Sequence, residues 1–315
     1  MIADLVTTGP STDKPSCKAM PSSVIVHSPH GRWKVCVLGL HLSTNTLMIT
    51  VFSLSPNFYD KVCPQALPTI KRVVEVAVHK EHHMGASLLH LHFHDCFVNG
   101  CDGSLLLDST YFETEKIARG NFISVRGLEV VNQIKGGVDR VCECPIVSCD
   151  DILAMAAQDS VVAVIFNTLV RLGRRDSTRA WKYLANSTLP SISMDLPQLI
   201  SNFKNQGLNK RDLVALSDGH TIGFSQCVIF RNRIYNATDI DLAFSKERRA
   251  TCPRTGGNTN LTPFDLTLAR FDTTYSKNPD AFWVDFGKSM IRMGNIKPLT
   301  GKQGQIRVNC RKMNK

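Results

Sequence analysis

The chain has 315 residues, 43% of them hydrophobic and 20% charged, which is enough for a sizeable core and ordinary for a soluble globular protein. Its formal net charge of +10 favours acidic surroundings, yet no block of five or six consecutive Lys/Arg occurs and no aromatic residues alternate with basic ones, which argues against nucleic-acid binding. The 11 cysteines (Cys17, Cys36, Cys63, Cys96, Cys101, Cys142, Cys144, Cys149, Cys227, Cys252 and Cys310) are scattered without paired CxxC motifs, which excludes a zinc ribbon and suits structural disulfides.

Met1 to Arg32 is polar, rich in Ser, Thr and Pro, and carries no apolar period, so it is expected to be disordered. Arg32 and Lys34 then precede an apolar run from Val35 to Phe52, with small residues placed for cleavage after Ser53. This pattern predicts a secretory signal segment within a lead of residues 1–53; the alternative is a misplaced start that never directs export. Ser43-Thr44-Asn45-Thr46 interrupts the run, which argues against a membrane span. Three glycosylation sequons, at Asn186, Asn236 and Asn260, agree with the cysteines in pointing to an oxidising compartment.

From residue 54 onward the apolar spacing is helical nearly everywhere. Ile70, Val73, Val74, Ala77 and Val78 form one stripe; Leu88, Leu89 and Phe93 belong to a second helix; Leu128, Val131, Ile134 and Val138 form a third. "CDDILAMAAQDSVVAV" reads as a buried fourth helix, and "LPQLISNFKNQGL" as a helix stopped at Gly207. "RDLVALSDGHTIG" predicts a helix running to His220, and "FWVDFGKSMIRMG" a final amphipathic helix. Alternating strand patterns are sparse, so the class is mainly α.

The densest chemistry lies in "LLHLHFHDCFVNGCDGS", residues 88–104. On a helix His90 and His94 share a face one turn apart, while His92 points away and reads as structural. The pair could bind zinc, but a zinc hydrolase needs a glutamate beside the first histidine, where Leu91 stands. Asp95, Asp102 and Ser104 supply hard oxygen ligands, and Gly100 and Gly103 allow tight turns, which is calcium chemistry without the EF-hand pattern.

"GASLLHLHFHDCFVNGCDGSLLLD" resembles the distal-helix motif of the plant secretory (class III) haem peroxidases. The resemblance continues through "LSPNFYDKVCP", "TEK" with Asn121, "CPIVSCDDILAMAAQDSV", "LGRRDS", "DLVALSDGHTIGFSQC" and "RMGNIKPLTGKQGQIRVNC", and covers about Leu54 to Cys310. It implies the haem-peroxidase fold over 54–315, with haem b held between a distal half (about 54–190) and a proximal half (about 191–315).

By the same resemblance His220 is the axial ligand of the haem iron, His94 the acid–base catalyst, Asn121 its hydrogen-bond acceptor and Phe93 a packing residue over the haem. Pro190 marks the edge where small aromatic donors such as phenols are oxidised at the expense of hydrogen peroxide. Two calcium ions are implied. One site comprises Asp95, Val98 (carbonyl), Gly100, Asp102 and Ser104, and the other Thr221, Asp265, Thr267 and Asp272. Four disulfides are implied, Cys63–Cys144, Cys96–Cys101, Cys149–Cys310 and Cys227–Cys252, with Cys142 as a spare thiol. The expected setting is extracellular or cell wall, in cell-wall chemistry and the response to oxidative stress. The chain is expected to be monomeric, free of membrane in its mature form, and attracted by its charge to acidic wall polysaccharide.

The sequence departs from the family pattern in four places. His90 stands where the family has arginine, a permanently charged planar donor that polarises the peroxide bond; slower reaction with peroxide is expected, partly restored in acid if His90 becomes protonated. The segment between Tyr275 and Met293 is short, and the aspartate that the family places against the proximal histidine has no clear counterpart there. Asp218 replaces a glycine before His220, and "IFN" stands before "LGRRDS" where the family has a glycine-rich turn. These departures leave an inactive peroxidase-like protein as the alternative reading, with a histidine-based zinc hydrolase more remote.

Overall fold

The computed structural model describes residues 54–108, 113–162, 170–238, 240–263 and 278–315. The lead of residues 1–53, the "IFN" replacement and three of the expected second-site calcium ligands, Asp265, Thr267 and Asp272, lie outside the described residues.

The first stripe becomes helix α1 (Ala66–Lys80), which buries Ile70 and Val74. The third becomes α3 (Leu128–Val141), which buries Val130, Val131, Ile134 and Val138. These two pack with α4 (Cys149–Val162) around α2 (Met84–Val98). Helix α2 is apolar on nearly all sides, as a helix buried on two faces must be. Leu88 and Leu91 enter the core with α1, α3 and α4. Cys96 and Phe97 enter a second core with Phe203, Leu213, Leu216 and Met293.

That second core is supplied by α5 (Lys182–Thr188), α6 (Leu196–Asn205), α7 (Lys210–Ser217) and a C-terminal helix (Pro279–Met293). Helices α8 (Cys227–Asn236) and α9 (Leu242–Thr251) form a small satellite pinned by Cys227–Cys252. Beside it lie two short antiparallel strands, β1 (Phe224–Gln226) and β2 (Leu261–Pro263). The C-terminal helix is α10 in chain order among the described residues.

Two expectations change. Helix α7 does not run to His220: it ends at Ser217, and Asp218–Ile222 forms a 3₁₀ turn. A Cβ on Gly219 would lie 3.2 Å from Leu89 Cδ2 and 3.4 Å from Phe286, so a larger residue here would have to push these side chains aside by a few tenths of an ångström. Cys63 pairs with Cys142, not with Cys144, and Cys142 is therefore no spare thiol. Cys142 closes α3, with its backbone N–H donated to the Val138 carbonyl, and so faces the α1 side of the core beside Cys63. Glu143, at φ +58, then turns the chain away before Cys144, which is itself disulfide-bonded. The pairs Cys96–Cys101, Cys149–Cys310 and Cys227–Cys252 are as expected.

One backbone feature stores strain beside the site. Ile123 has φ +62, a left-handed conformation disfavoured for a β-branched residue, and its side chain is 77% exposed. Its packing contributes little, so Ile123→Asn, which tolerates this conformation, is expected to stabilise the protein by about 1 kcal/mol. Thermal unfolding checks this as a melting point raised by about 2–4 °C; an unchanged or lower melting point contradicts it.

Candidate active site

Helix α2 sets the histidines. His90 and His94 lie one turn apart, and their Nε2 atoms approach to 2.7 Å. The other ring nitrogen of His94, Nδ1, lies 2.5 Å from Asn121 Oδ1. Asn121 is fully buried, and its Nδ2 donates to the Glu115 carbonyl at 2.8 Å. That bond fixes which end of the amide is which, because a carbonyl only accepts. Asn121 Oδ1 must then accept from His94 Nδ1–H, which leaves His94 Nε2 with a bare lone pair. His90 Nε2–H is the donor to that lone pair.

Burial lowers both rings below the ordinary histidine range. His94 falls to about 4, chiefly by desolvation, with the bond to Asn121 opposing the fall. His90 falls well below its ordinary value by burial and by the neighbouring charges of His94 and His220. Burial therefore works against the expected rescue by acid, because it disfavours the protonated form of His90.

His220 sits in the 3₁₀ turn that faces α2. Its Nδ1 lies 2.7 Å from the Ser217 carbonyl and donates to it, so Nε2 carries the lone pair. A metal-ligating histidine has this arrangement. Both distal rings feel the charge of His220, which places it across a common space from them. With its Nδ1 engaged by Ser217, His220 would hold the iron of a haem through Nε2, and His94 stands on the other side of that space.

Phe93 follows His92 on α2, and its ring stacks on Phe97 at 4.1 Å between centroids and lies 5.7 Å from the His94 ring. Pro190 follows Leu189, whose Cδ1 lies 3.3 Å from the Cβ position of Gly120; His94 Cε1 lies 3.8 Å from the same position. The Leu189-Pro190 segment therefore flanks the distal histidine. The strained turn at Ile123 adjoins Asn121 and exposes Phe122 beside it.

Below His94 the loop 95–105 folds around the Asp95 carboxylate. Asp95 Oδ2 accepts from the backbone N–H groups of Asp102 (3.1 Å) and Gly103 (2.9 Å), and Oδ1 from Leu105 (3.2 Å). Asp102 Oδ1 accepts from Ser104 N–H at 3.0 Å, and Cys96–Cys101 closes the loop. Gly100 turns the chain at φ +114 just after Val98 ends α2. Asp95, Asp102 and Ser104 are all buried.

Sequence reasoning missed Glu115, which is fully buried and lies close enough to feel the charges of Asp95 and Asp102. Desolvation, then Asp95, pushes its carboxyl up to about 8. Desolvation, then Asp102, pushes Asp95 to about 7. Glu115 Oε2 and Ser104 Oγ are buried without a hydrogen-bond partner. Crowded acids and orphaned oxygens of this kind fit a hard divalent cation. The only local hint was an acid between two residues of the quoted "TEK", and its partner lies about twenty positions earlier. Of the second set, Thr221 belongs to the 3₁₀ turn of His220.

Residues 70–295 match the family described as Peroxidase. The chain is 54% identical to Peroxidase RIP1 of Medicago truncatula, over 82% of this chain and 91% of that protein. The chain belongs to the class III plant peroxidases. Peroxidase 70 of Zea mays is 49% identical, over 83% of this peroxidase and 92% of the relative. Peroxidase P7 of Brassica rapa subsp. rapa is 46% identical and covered along its whole length. That alignment runs over 296 positions yet uses 83% of this peroxidase, so the relative carries residues that this chain lacks. Haem is the cofactor of the family, and hydrogen peroxide and aromatic donors are its substrates. Among the described residues no helix is long and apolar enough to cross a membrane.

Proposed function

We propose that this peroxidase works through the hydrogen-bonded line Glu115 carbonyl–Asn121–His94–His90, set opposite His220, and that this line is the observation that carries the reading. Haem, when bound, supplies the redox-active iron, held by His220 Nε2. His94 Nε2 takes a proton from entering peroxide and returns it to the departing oxygen as water. Asn121 holds the proton on Nδ1 and so keeps Nε2 basic. Two aromatic donors each give one electron and one proton, so that one peroxide becomes two waters. Donors approach beside Pro190, and Phe93 supports the ring of His94 from α2.

The loop of Asp95, Val98, Gly100, Asp102 and Ser104 holds one calcium ion, with Glu115 at its margin. Charge on that ion lowers the raised carboxyls and locks the end of α2 that carries His94. A second ion is assigned to Thr221, Asp265, Thr267 and Asp272 on the family pattern alone. The protein is proposed to be secreted as a monomer, with residues 1–53 removed as lead and signal, and to act at the cell wall. The net charge of +10 supports attraction to acidic polysaccharide there.

The test is a rapid-mixing absorbance trace of haem-loaded protein with hydrogen peroxide, followed by a phenol. The expected result is a drop of the haem band and its recovery with the donor, slowed by about 10²- to 10⁴-fold in His94→Leu. Equal rates in both proteins remove His94 from the mechanism.

A further inference from the structure

We propose that the facing imidazoles of His90 and His94 form a chelating site for a divalent cation of the zinc or copper class, occupied in competition with peroxide. The chemistry starts from position. The rings are one turn apart on a buried, rigid helix, and their Nε2 atoms already converge to 2.7 Å. Two metal–nitrogen bonds of about 2.0–2.1 Å at a tetrahedral angle span about 3.3 Å. The rings need to part by only about 0.6 Å to receive an ion between them.

The electronic state also suits a metal. His94 donates Nδ1–H to Asn121 and turns the Nε2 lone pair toward His90, the arrangement of an imidazole ligand with its outer partner in place. His90 carries its proton on Nε2 in the resting pair. Exchange of that proton through solvent to Nδ1 frees the second lone pair and leaves the ring neutral. Borderline ions prefer imidazole, and copper binds such a site more tightly than zinc.

Among the described residues no third His, Cys, Asp or Glu joins His90 and His94 in a metal-holding group. The site therefore has two protein ligands, and water or another small ligand completes it, so that the ion exchanges with the medium. An ion there takes the lone pair that peroxide needs. An arginine at position 90 removes one ligand and repels the ion by its charge.

Zinc chloride titrated calorimetrically into the haem-loaded, calcium-replete protein tests this. The expected result is one zinc ion per chain, with binding weakened by about 10- to 100-fold in Asn121→Ala, which removes the outer partner, and abolished in His90→Arg. His82→Gln, on the exposed surface, should bind as the unsubstituted protein does. The haem band of each variant reports that the fold is intact, and His90→Gln replaces any variant that fails this check. Zinc should also slow the peroxide reaction of the unsubstituted protein but not that of His90→Arg. No zinc uptake, or equal uptake by His90→Arg, overturns the site. A zinc-free protein that fails to react with peroxide bears instead on the proposed mechanism.

Discussion

Replacing His90 with arginine is expected to speed the reaction with hydrogen peroxide by about 10²- to 10³-fold, the scale of a preorganised donor to a departing oxygen. Two physical changes combine in that variant. The N–H of His90 no longer occupies His94 Nε2, from which it stands 2.7 Å away. A cation that stays charged at any working pH replaces a ring whose protonated form burial disfavours. His90→Gln separates the two, because glutamine can leave the lone pair without adding charge; an intermediate rate is expected. Stopped-flow rates of all three proteins settle the matter. If arginine gives no gain, the neutral pair already serves the departing oxygen, and the family's guanidinium is not the limiting donor here.

The second large effect concerns acid. His92 is buried beside Arg174, and desolvation, then the charge of Arg174, lowers it from 6.5 to about 3. Unfolded chains bind a proton at this residue below about 6.5, whereas the folded protein refuses it until about 3. Stability from this residue is therefore complete above pH 6.5 and is lost as pH falls through that window. The slope is about 1.4 kcal/mol for each pH unit while the proton is taken up only by the unfolded chain. His92→Gln should flatten the acid limb by up to one proton's worth. Urea midpoints at pH 7, 6, 5 and 4 measure the slope, and identical slopes in the two proteins would show that His92 protonates freely in the fold. Asp95 and Glu115 act in the opposite sense, since their raised carboxyls favour the folded state in acid. The comparison of the two proteins cancels them.

The helices were legible because their signals are local. The stripe through Ile70 and Val74 and the stripe through Ile134 and Val138 need only a period of 3.6 residues to be read. His220 and His94 became meaningful through the motifs around them; by spacing alone each was one histidine among ten. What was not legible depended on close approach between distant segments. Cys142 and Cys144 stand two positions apart, and the choice of partner for Cys63 turns on where α3 ends and on the left-handed Glu143. Glu115 looked like any charged residue before a short turn, and its burial against Asp95 is set by tertiary packing. Helix α7 ends at Ser217, two residues before Gly219 packs close to Leu89, a neighbour that no window around His220 contains. The lowered proton affinity of His90 likewise comes first from the walls that bury it.

Arg307 is fully buried: its backbone N–H donates to Asp176, and its Nη2 donates to the Gly103 carbonyl at 2.5 Å. A Cβ on Gly103 would come within 2.6 Å of that guanidinium, so the loop and the arginine are shaped to each other. Cys310, three residues later, bonds back to Cys149. A ribosome delivers the chain from its amino end, so α2 and the loop around Asp95 emerge some two hundred residues before their keystone. During synthesis that loop lacks its final donor, and its acids face one another without it. The contact that closes the pocket floor therefore forms only after Arg307 has been delivered, so folding of the loop around Asp95 is coupled to the far end of the domain.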